Sequence, residues 1–533
     1  MAEQPSTASA SRSAQLRARV PSYIRWSFAA TILFGLVAHG FAFTNDLLNH
    51  DDVYHLLWCD YGALSGRWLL PTVLEWDGAF SVPWLIGLLS LLCLAVTTCV
   101  TTTLLRIRGR VGCVLAAALL AGFPTATATF SYMFTADAYF FALMLAALAA
   151  YVVARHPFAG IPLGCVALIA SLGIYQSYFP VAAALMVGAL LFDCLEGRDG
   201  LGRIFLRGVR MLVVLGVSVV CYMALAKIAT AKLGGLTDYM GISEMGHISY
   251  ADLPALILKC YTHYANLFWQ NDNGFYFGFL KPLLFLAIVM GVLLLLVTIT
   301  RRGLSVGHAV LALVLAGLYP LAANCIHVMV AGGDVHDLMV YGALFVLLLP
   351  LGLIDFASAY TAELGGARNV LQVAMSWFIV VVLALTAYSY AVGDNKAYLK
   401  MDVVKSQLTA YSNRLLSAVE QTEGYTPGMP LVLIGNTQKE PALTTLTPEL
   451  EDLYLVGVLN TASMRAQYSY GEFLTQYMAY PGEVCVRNSA NDDRQAIAKQ
   501  YEKLPEVANM AIYPAKDSIK IIDGRIVVKL NEP

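Results

Sequence analysis

The sequence predicts a polytopic α-helical membrane protein with about eleven transmembrane helices and a small C-terminal extracytoplasmic α/β domain. Three observations support this prediction. Mean hydropathy is +0.64 over 533 residues, and only 13% of them are charged, whereas soluble domains average about 25%. Apolar runs long enough to cross about 30 Å of hydrocarbon recur along the chain. Near residue 395 these runs stop and an amphipathic, soluble-type pattern begins.

The apolar runs define the positions of the predicted spans, because a helix needs about 20 apolar residues to cross a bilayer. The spans lie at 25–44, 82–105, 111–130, 137–154, 158–176, 178–193, 211–231, 279–300, 304–325, 338–356 and 370–391.

Charge asymmetry between the loops predicts the orientation, because short cytoplasmic loops are enriched in Lys and Arg. The opposite loops carry few basic residues, chiefly Arg67, Lys232 and Lys259. The sequence therefore predicts a cytoplasmic N-terminus, with the acidic loop after the first span and the C-terminal domain both outside. The basic set of loops carries Arg12, Arg17, Arg19, Arg25, Arg106, Arg108, Arg110, Arg155, Arg198, Arg203, Arg207, Arg210, Arg301, Arg302 and Arg368.

Three domains follow from these patterns: a disordered cytoplasmic tail at 1–24, a transmembrane domain at 25–394, and an extracytoplasmic α/β domain at 395–533. In the last of these, LVLIGN at 431–436 is a short buried-strand pattern. SIKIIDGRIVVKL at 518–530 reads as a hairpin, because Asp-Gly joins two alternating runs. The domain has no glycine-rich phosphate loop, and a net charge of −2 gives no basic field for nucleic acid.

The cysteine and histidine patterns define no cofactor. The ten cysteines are scattered without a CxxC pair; Cys59 and Cys485 fall outside the apolar runs and are the one pair considered for a disulfide. The loop HVMVAGGDVHDLMV, with His327, His336 and Asp337, invites a metal interpretation but matches no defined metal motif. We therefore expect no cofactor and leave a divalent metal open.

The stretch NDLLNHDDVYHLLWCDYGALSGRW, residues 45–68, is the acidic and aromatic loop between the first two spans. Its local pattern predicts a short helix with Asn49 or Asp51 near the start, whose dipole should keep both Asp51 and Asp52 ionised. One carboxylate could accept a proton from a substrate hydroxyl while the other caps the helix. The alternative is a solvated acidic loop with a helix cap, and spacing alone favours it.

Several motifs carry a family resemblance. NHDDVYH is followed by GALSGRWLLPTV, then by FPTATATFSYMFTADAYFFALML with Asp137, by SLGIYQSYFP with Tyr175 and Gln176, and near the C-terminus by AIYPAKDSIKIIDGRIVVKL. In order and spacing they resemble bacterial membrane glucosyltransferases that use a polyprenyl-phosphate-glucose donor. These are the serotype-converting O-antigen glucosyltransferases and their relatives, of the GT-C type, and the resemblance extends over most of the chain.

The resemblance implies a GT-C-like membrane fold, an acidic residue of the first outer loop as catalytic base, and inversion at the anomeric carbon. It reverses the balance for the acidic pair, in favour of Asp51 or Asp52 as the base. The family carries a basic residue in the outer loop that holds His336 here, so a histidine at this position is a departure and leaves the contact with the donor phosphate open.

The other candidate substrate-binding residues each have a simpler explanation. Arg67 could bind a phosphate through paired hydrogen bonds, or it could reach lipid headgroups from the interface. Asp137 lies at the outer edge of a predicted span, where a charge is costly unless used or solvated, but a cap is also possible. Tyr175 and Gln176 could bind sugar, or could be ordinary interfacial polar residues.

The function predicted is transfer of a hexose, glucose by resemblance, from a polyprenyl-phosphate carrier to a surface glycan outside the bacterial inner membrane. The partners are then the lipid-linked donor, a glycan acceptor and membrane lipid, without nucleic acid. The alternatives are a transporter or flippase of lipid-linked sugar and a non-catalytic polysaccharide assembly protein. Transporters usually carry ionisable groups at mid-membrane, and these spans are nearly free of them.

Overall fold

A computed structural model describes residues 20–55, 65–78, 80–231, 251–270, 274–330, 333–363, 370–439 and 446–532, with the backbone alone at 54, 55, 77 and 360–363. Most of the predicted N-terminal tail and the pairing proposed for Cys59 lie outside the described residues. Cys485 is buried as a free thiol.

The membrane part is a bundle of apolar helices joined by short turns. Further helical turns cover Glu75–Asp77, Gln176–Tyr178, Asn266–Gln270, Asp337–Met339 and Tyr341–Leu344. The helices are α1 (Ser22–Thr44), α2 (His50–His55), α3 (Leu70–Leu74), α4 (Pro83–Leu104), α5 (Arg110–Gly122), α6 (Pro124–Phe130), α7 (Met133–Arg155), α8 (Gly160–Ile174), α9 (Phe179–Glu196), α10 (Leu201–Thr230), α11 (Leu253–Ala265), α12 (Leu280–Arg301), α13 (Val306–Ala323), α14 (Ile326–Met329), α15 (Phe345–Glu363) and α16 (Val370–Glu420).

The predicted fold class, a polytopic helical membrane protein with a small C-terminal sheet, is confirmed, and the span count is refined. Among the described residues, 9 helices are long and apolar enough to cross a membrane, or 10 if α5 and α6 form one bent span. These two meet at 45° because Phe123 is extended before Pro124, which starts the second helix. The span predicted at 158–176 is α8, a helix of 15 residues, which is short for a straight crossing.

One helix connects the membrane part to the C-terminal part. α16 runs for 51 residues, from Val370 to Glu420. The boundary predicted between residues 394 and 395 falls inside it, so the division into domains at that point stays a prediction. Beyond the apolar half, the helix buries Val404, Leu408 and Leu415 against the sheet.

The C-terminal part is a four-stranded sheet covered by helices on both faces. β1 (Leu431–Ile434) pairs in parallel with β2 (Val484–Val486) and β4 (Arg525–Lys529), and β3 (Ile519–Ile522) pairs antiparallel with β4. The strand and hairpin predictions are therefore confirmed. The helices are α17 (Pro448–Glu451), α18 (Thr461–Met464), α19 (Tyr470–Glu472), α20 (Asp492–Tyr501) and α21 (Pro505–Ala508), with a further turn at Phe473–Tyr477.

The two faces of the sheet follow the alternation of its strands. Leu431 and Leu433 belong to the apolar cluster that contains the outer half of α16, whereas Val432 and Ile434 belong to the cluster that contains α20. Successive strand residues point to opposite faces, so a run of four apolar residues in β1 serves both clusters. The sheet is thereby fixed directly on the helix that leaves the membrane part.

The two ends of the helix bundle differ in chemistry. At one end, the basic loops form a network in which Arg106 contacts Glu196 at 2.8 Å, and Arg207 contacts Asp193 at 2.7 Å and Asp199 at 2.6 Å. The loops with the predicted site residues, and the C-terminal sheet, lie at the other end.

Candidate active site

A short helix, α2, carries the acidic pair, and Asn49 is its N-cap. The Asn49 side-chain oxygen accepts hydrogen bonds from the backbone N–H groups of Asp51 (2.8 Å) and Asp52 (3.0 Å). In return, Asp52 Oδ2 accepts from the Asn49 N–H at 3.2 Å. This reciprocal pattern is a capping box. The Asn49 amide also donates to the Ser131 carbonyl, which fixes α2 to the turn before α7.

Asp52 is the inner member of the pair. It is 1% exposed, and its Oδ1 accepts a 3.4 Å hydrogen bond from the Phe134 N–H at the start of α7. Burial raises the pKa of Asp52 well above its ordinary value, and the charges of Asp51 and Asp46 add to that effect. Desolvation of the Asp52 carboxylate thus opposes the dipole of α2, and the expectation that both carboxylates stay ionised remains a prediction for Asp52.

Asp51 is the outer member, and its side chain is 31% exposed. The Tyr468 phenol, from the C-terminal part, donates a hydrogen bond to Asp51 Oδ1. The His50 Nε2 lies 3.7 Å from the same oxygen, and the His50 ring meets the Tyr468 ring edge-on, with centroids 5.6 Å apart. Partial burial lowers the pKa of His50, although the Asp51 charge opposes that shift. Asp51 thus combines access from solvent with a fixed orientation.

Arg67 is the centre of a second cluster. Its Nη1 donates to the Tyr139 hydroxyl at 2.9 Å, and its guanidinium lies over the Tyr175 ring at 5.0 Å. Tyr139 and Tyr175 are stacked, with centroids 4.2 Å apart. Burial, together with the nearby Arg67 charge, lowers the pKa of His336. The structure therefore brings together three predicted residues, Arg67, Tyr175 and His336.

Gln176 and Asp137 lie at the same end of the bundle, and the hydrogen bonds described here join them to other groups than Arg67 and the acidic pair. The Gln176 amide donates to the Ser65 carbonyl at 3.1 Å and to the Tyr222 hydroxyl at 2.7 Å, which ties the Arg67 loop to α10. Asp137 is 8% exposed, and its carboxylate accepts from the Ala138 N–H at 2.8 Å in the first turns of α7. Gln176 therefore positions the loop of Arg67, and Asp137 bonds to its own helix.

The two clusters are linked through α7. Phe134, in its first turn, bonds Asp52, and Tyr139, five residues later, holds Arg67. Five residues advance a helix by about 7.5 Å. One rigid element therefore fixes the spacing between the acidic pair and the cationic cluster.

The histidines and carboxylates of the 326–337 region contact different neighbours. His327 packs against His263, with ring centroids 4.5 Å apart, whereas His336 is near Arg67 and Asp337 accepts a hydrogen bond from the Val456 backbone. Within the described ranges, no group of three or more His, Cys, Asp or Glu residues could hold a metal ion.

Sequence reasoning missed the groups that come from distant parts of the chain. Tyr468 is 417 residues from Asp51, and no local pattern marks it as a partner. Val456 is a second case: its carbonyl accepts from Ser131 Oγ at 3.1 Å while its N–H bonds Asp337. Tyr139 could have been found, since it stands two residues after Asp137 in TADAY, one of the motifs that carries the resemblance.

A multi-pass bundle with carboxylates and an arginine grouped at one end defines a membrane protein with a polar site at the edge of its apolar part. The family model described as glucosyl transferase GtrII matches residues 40–347, more than half of the chain. The protein therefore belongs to the GtrII glucosyltransferase family and is a glycosyltransferase. The matched region contains every predicted site residue, and Tyr468 lies beyond it. No curated protein and no solved structure matches the chain.

Proposed function

We propose that this enzyme transfers glucose from a polyprenyl-phosphate carrier to a surface glycan on the outer side of the bacterial inner membrane, with inversion and with Asp51 as general base. The observation that carries this proposal is the different environment of the two carboxylates. Asp51 is open to solvent and oriented by Tyr468, whereas Asp52 is buried in a capping box. An acceptor hydroxyl can reach the first and not the second.

The chemistry at Asp51 follows from its surroundings. The carboxylate takes the proton from the acceptor hydroxyl as the oxygen attacks the anomeric carbon, and the bond from that carbon to the phosphate oxygen breaks. The Tyr468 hydroxyl donates to Asp51 Oδ1, so Oδ2 is the atom proposed to take the proton. Attack from the side opposite to the departing phosphate gives the inverted product.

Arg67 and His336 are the groups proposed for the donor phosphate. The guanidinium lies over the Tyr175 ring at 5.0 Å and donates a hydrogen bond to Tyr139, so its orientation is fixed before the donor binds. Burial is the main cause of the lowered pKa of His336, and the Arg67 charge adds to it; a phosphate placed between Arg67 and His336 would offset this second contribution. This arrangement supports a contact between His336 and the phosphate despite the departure from the basic residue of the family.

The lipid tail of the donor requires an apolar surface beside the site. α10 exposes large apolar side chains along its length, among them Phe205, Leu212, Val220 and Ile228, which suits contact with acyl or polyprenyl chains. The basic network at the opposite end of the bundle supports a cytoplasmic position for that end. A C-terminal reporter that works only outside the cytoplasm should be active, and the reverse result would contradict the proposed orientation.

The decisive test is Asp51→Asn, which keeps the size of the side chain and removes its basicity. We expect turnover to fall by about 10²–10⁴-fold, the usual contribution of a general base, with donor binding retained. Asp52→Asn should cost less. Transfer from a purified polyprenyl-phosphate-glucose to glycan from cells lacking the gene is the measurement, with the product anomer read by NMR. Wild-type turnover in Asp51→Asn, at matched protein level, would remove Asp51 as the base.

A further inference from the structure

An open groove runs along α16 where the helix leaves the membrane part. Its volume is about 460 Å³. One side is a single face of α16 with Asp402, Lys405, Thr409 and Asn413, and it is also lined by Ser406. These positions recur every three or four residues, so they share one helix face. From residue 402 to residue 413 the helix rises about 17 Å, the length of a few linked sugars.

The other side of the groove is the chain that leads to the acidic pair. Asn45 and Asp46, directly after the first span, line it. Asp46 forms an ion pair with Lys405 at 2.8 Å, which joins the loop to the helix. Two residues after Asp46, Leu48 is buried in the same apolar cluster as Val404 of α16. The groove therefore begins beside α2, the helix that carries Asp51, and extends away from the membrane part.

The lining chemistry defines the kind of ligand. Of the groove residues only Ala410 lacks a polar side chain, so the groove does not suit an acyl chain. Two carboxylates, Asp46 and Asp402, stand against one ammonium, Lys405, so the field disfavours phosphate-rich or acidic polymers. Amides, hydroxyls and carboxylates together offer the donors and acceptors that the hydroxyls of a neutral carbohydrate need.

We propose that this groove binds the glycan chain of the acceptor, with several neutral sugar residues lying along α16 and the reacting sugar at the Asp51 end. The inference rests on the proposed function, because the role of Asp51 as the base decides which end of the groove holds the reacting sugar. It adds the class of acceptor, an extended neutral oligosaccharide or polysaccharide, and a binding surface outside the region that places the donor.

The test fills the groove without touching the site. Ala410 is small, exposed and inside the groove, so Ala410→Trp should block it. Ser417 is small and exposed on the same helix but outside the groove, so Ser417→Trp is the matched control. Binding is measured by retention of the purified full-length protein in gels containing the neutral surface polysaccharide from a strain lacking the gene. A gel with polygalacturonate provides the acidic comparison.

We expect Ala410→Trp to lose retention and to raise KM for the polysaccharide about tenfold or more. Its kcat, and its KM for a single repeating unit, should stay within about twofold of wild type. Ser417→Trp should behave as wild type. Asn413→Ala, which only removes hydrogen-bonding groups, should weaken retention in part. It still tests the groove if the tryptophan at residue 410 disturbs folding.

The outcomes separate the groove from the chemistry. Equal retention of wild type, Ala410→Trp and Asn413→Ala would overturn the groove even if all three transfer sugar. Retention of wild type by polygalacturonate instead of the neutral polymer would overturn the class of ligand. Loss of retention in Ala410→Trp, in a wild type that binds the polymer but transfers no glucose, would support the groove and count against the proposed function.

Discussion

The Tyr468 phenol donates a hydrogen bond to Asp51 Oδ1 across 417 residues of sequence, and through it the C-terminal part takes a place in the site. The short turn after α18 brings Tyr468 there, next to the buried Ser469 and Tyr470. Because the His50 ring also meets Tyr468, the phenol is held between Asp51 and its chain neighbour. The C-terminal part therefore contributes a side chain to the candidate site.

Tyr468→Phe removes only the hydroxyl of this contact. Hydrogen bonds to charged groups contribute about 1.5–3 kcal/mol, so we expect kcat to fall by roughly ten- to a hundredfold if Asp51 is the base. KM for the donor should change little.

Tyr454→Phe is the matched control for this substitution. Tyr454 lies in the same C-terminal part and is 67% exposed, so loss of its hydroxyl should leave both kcat and KM unchanged. A kcat for Tyr468→Phe that is as little changed as that of Tyr454→Phe would mean that the hydroxyl of Tyr468 does not assist Asp51.

Asp52→Asn tests the structural role of the inner carboxylate through stability. Folding raises the pKa of Asp52, so the folded chain holds this proton more tightly than the unfolded chain. Stability from this group is complete below the ordinary aspartate pKa and is lost as pH rises towards the folded value. Asparagine does not titrate, and it forfeits one of the two backbone hydrogen bonds, at a cost of about 1 kcal/mol.

We therefore expect the Tm of Asp52→Asn, relative to wild type, to improve steadily as pH rises above the ordinary aspartate pKa of about 4. Thermal unfolding of the detergent-solubilised protein at stepped pH is the measurement. Asp493→Asn, at an exposed position on α20, is the control for the effect of an aspartate-to-asparagine change on Tm at each pH. A difference in Tm that does not vary with pH would contradict the buried state of Asp52.

The sequence was informative wherever structure depends on neighbours in the chain. Hydropathy located the spans, Asp523-Gly524 formed the hairpin turn with both φ angles positive (49° and 72°), and Asn49 capped α2. It failed for contacts over distance. Asp52 accepts a hydrogen bond from Phe134 of α7, 82 residues away. α16 continues past the last apolar run because an amphipathic pattern of helical spacing follows and no proline interrupts it.

Arg67→Lys tests the donor-phosphate contact. Lysine keeps the charge but loses the planar fork that lies on Tyr175 and bonds Tyr139. We expect kcat/KM for the lipid-linked donor to fall by about tenfold or more. Tyr139→Phe, which removes one hydrogen bond to the guanidinium, should give a smaller loss in the same direction. Arg414→Lys, on the exposed surface of α16, should have no effect, and an equally unaffected Arg67→Lys would place the phosphate elsewhere.

The last prediction concerns Ser131, where three parts of the site meet. Its carbonyl accepts from Asn49, the N-cap of α2, and its Oγ lies within hydrogen-bond distance of the carbonyls of Ala128 (2.8 Å) and Val456 (3.1 Å). Val456 in turn bonds Asp337, which follows His336 in the chain. The next residue, Gly457, packs so closely that an added Cβ would collide with Ser131 Oγ and lie 2.7 Å from the Tyr132 ring.

Gly457→Ala should therefore loosen the acidic pair and the His336 loop together. Gly428→Ala separates the strain of the left-handed backbone from the steric clash at Ser131. Both glycines have φ +87°, but a Cβ at residue 428 meets nothing within 4 Å. Left-handed backbone costs roughly 1–2 kcal/mol for alanine, and both variants should lose that much stability. Only Gly457→Ala should show a further decrease in Tm, and only Gly457→Ala should lose sugar-transfer activity. Equal loss of Tm and equal activity in the two variants would mean that the contact at Ser131 carries neither stability nor function.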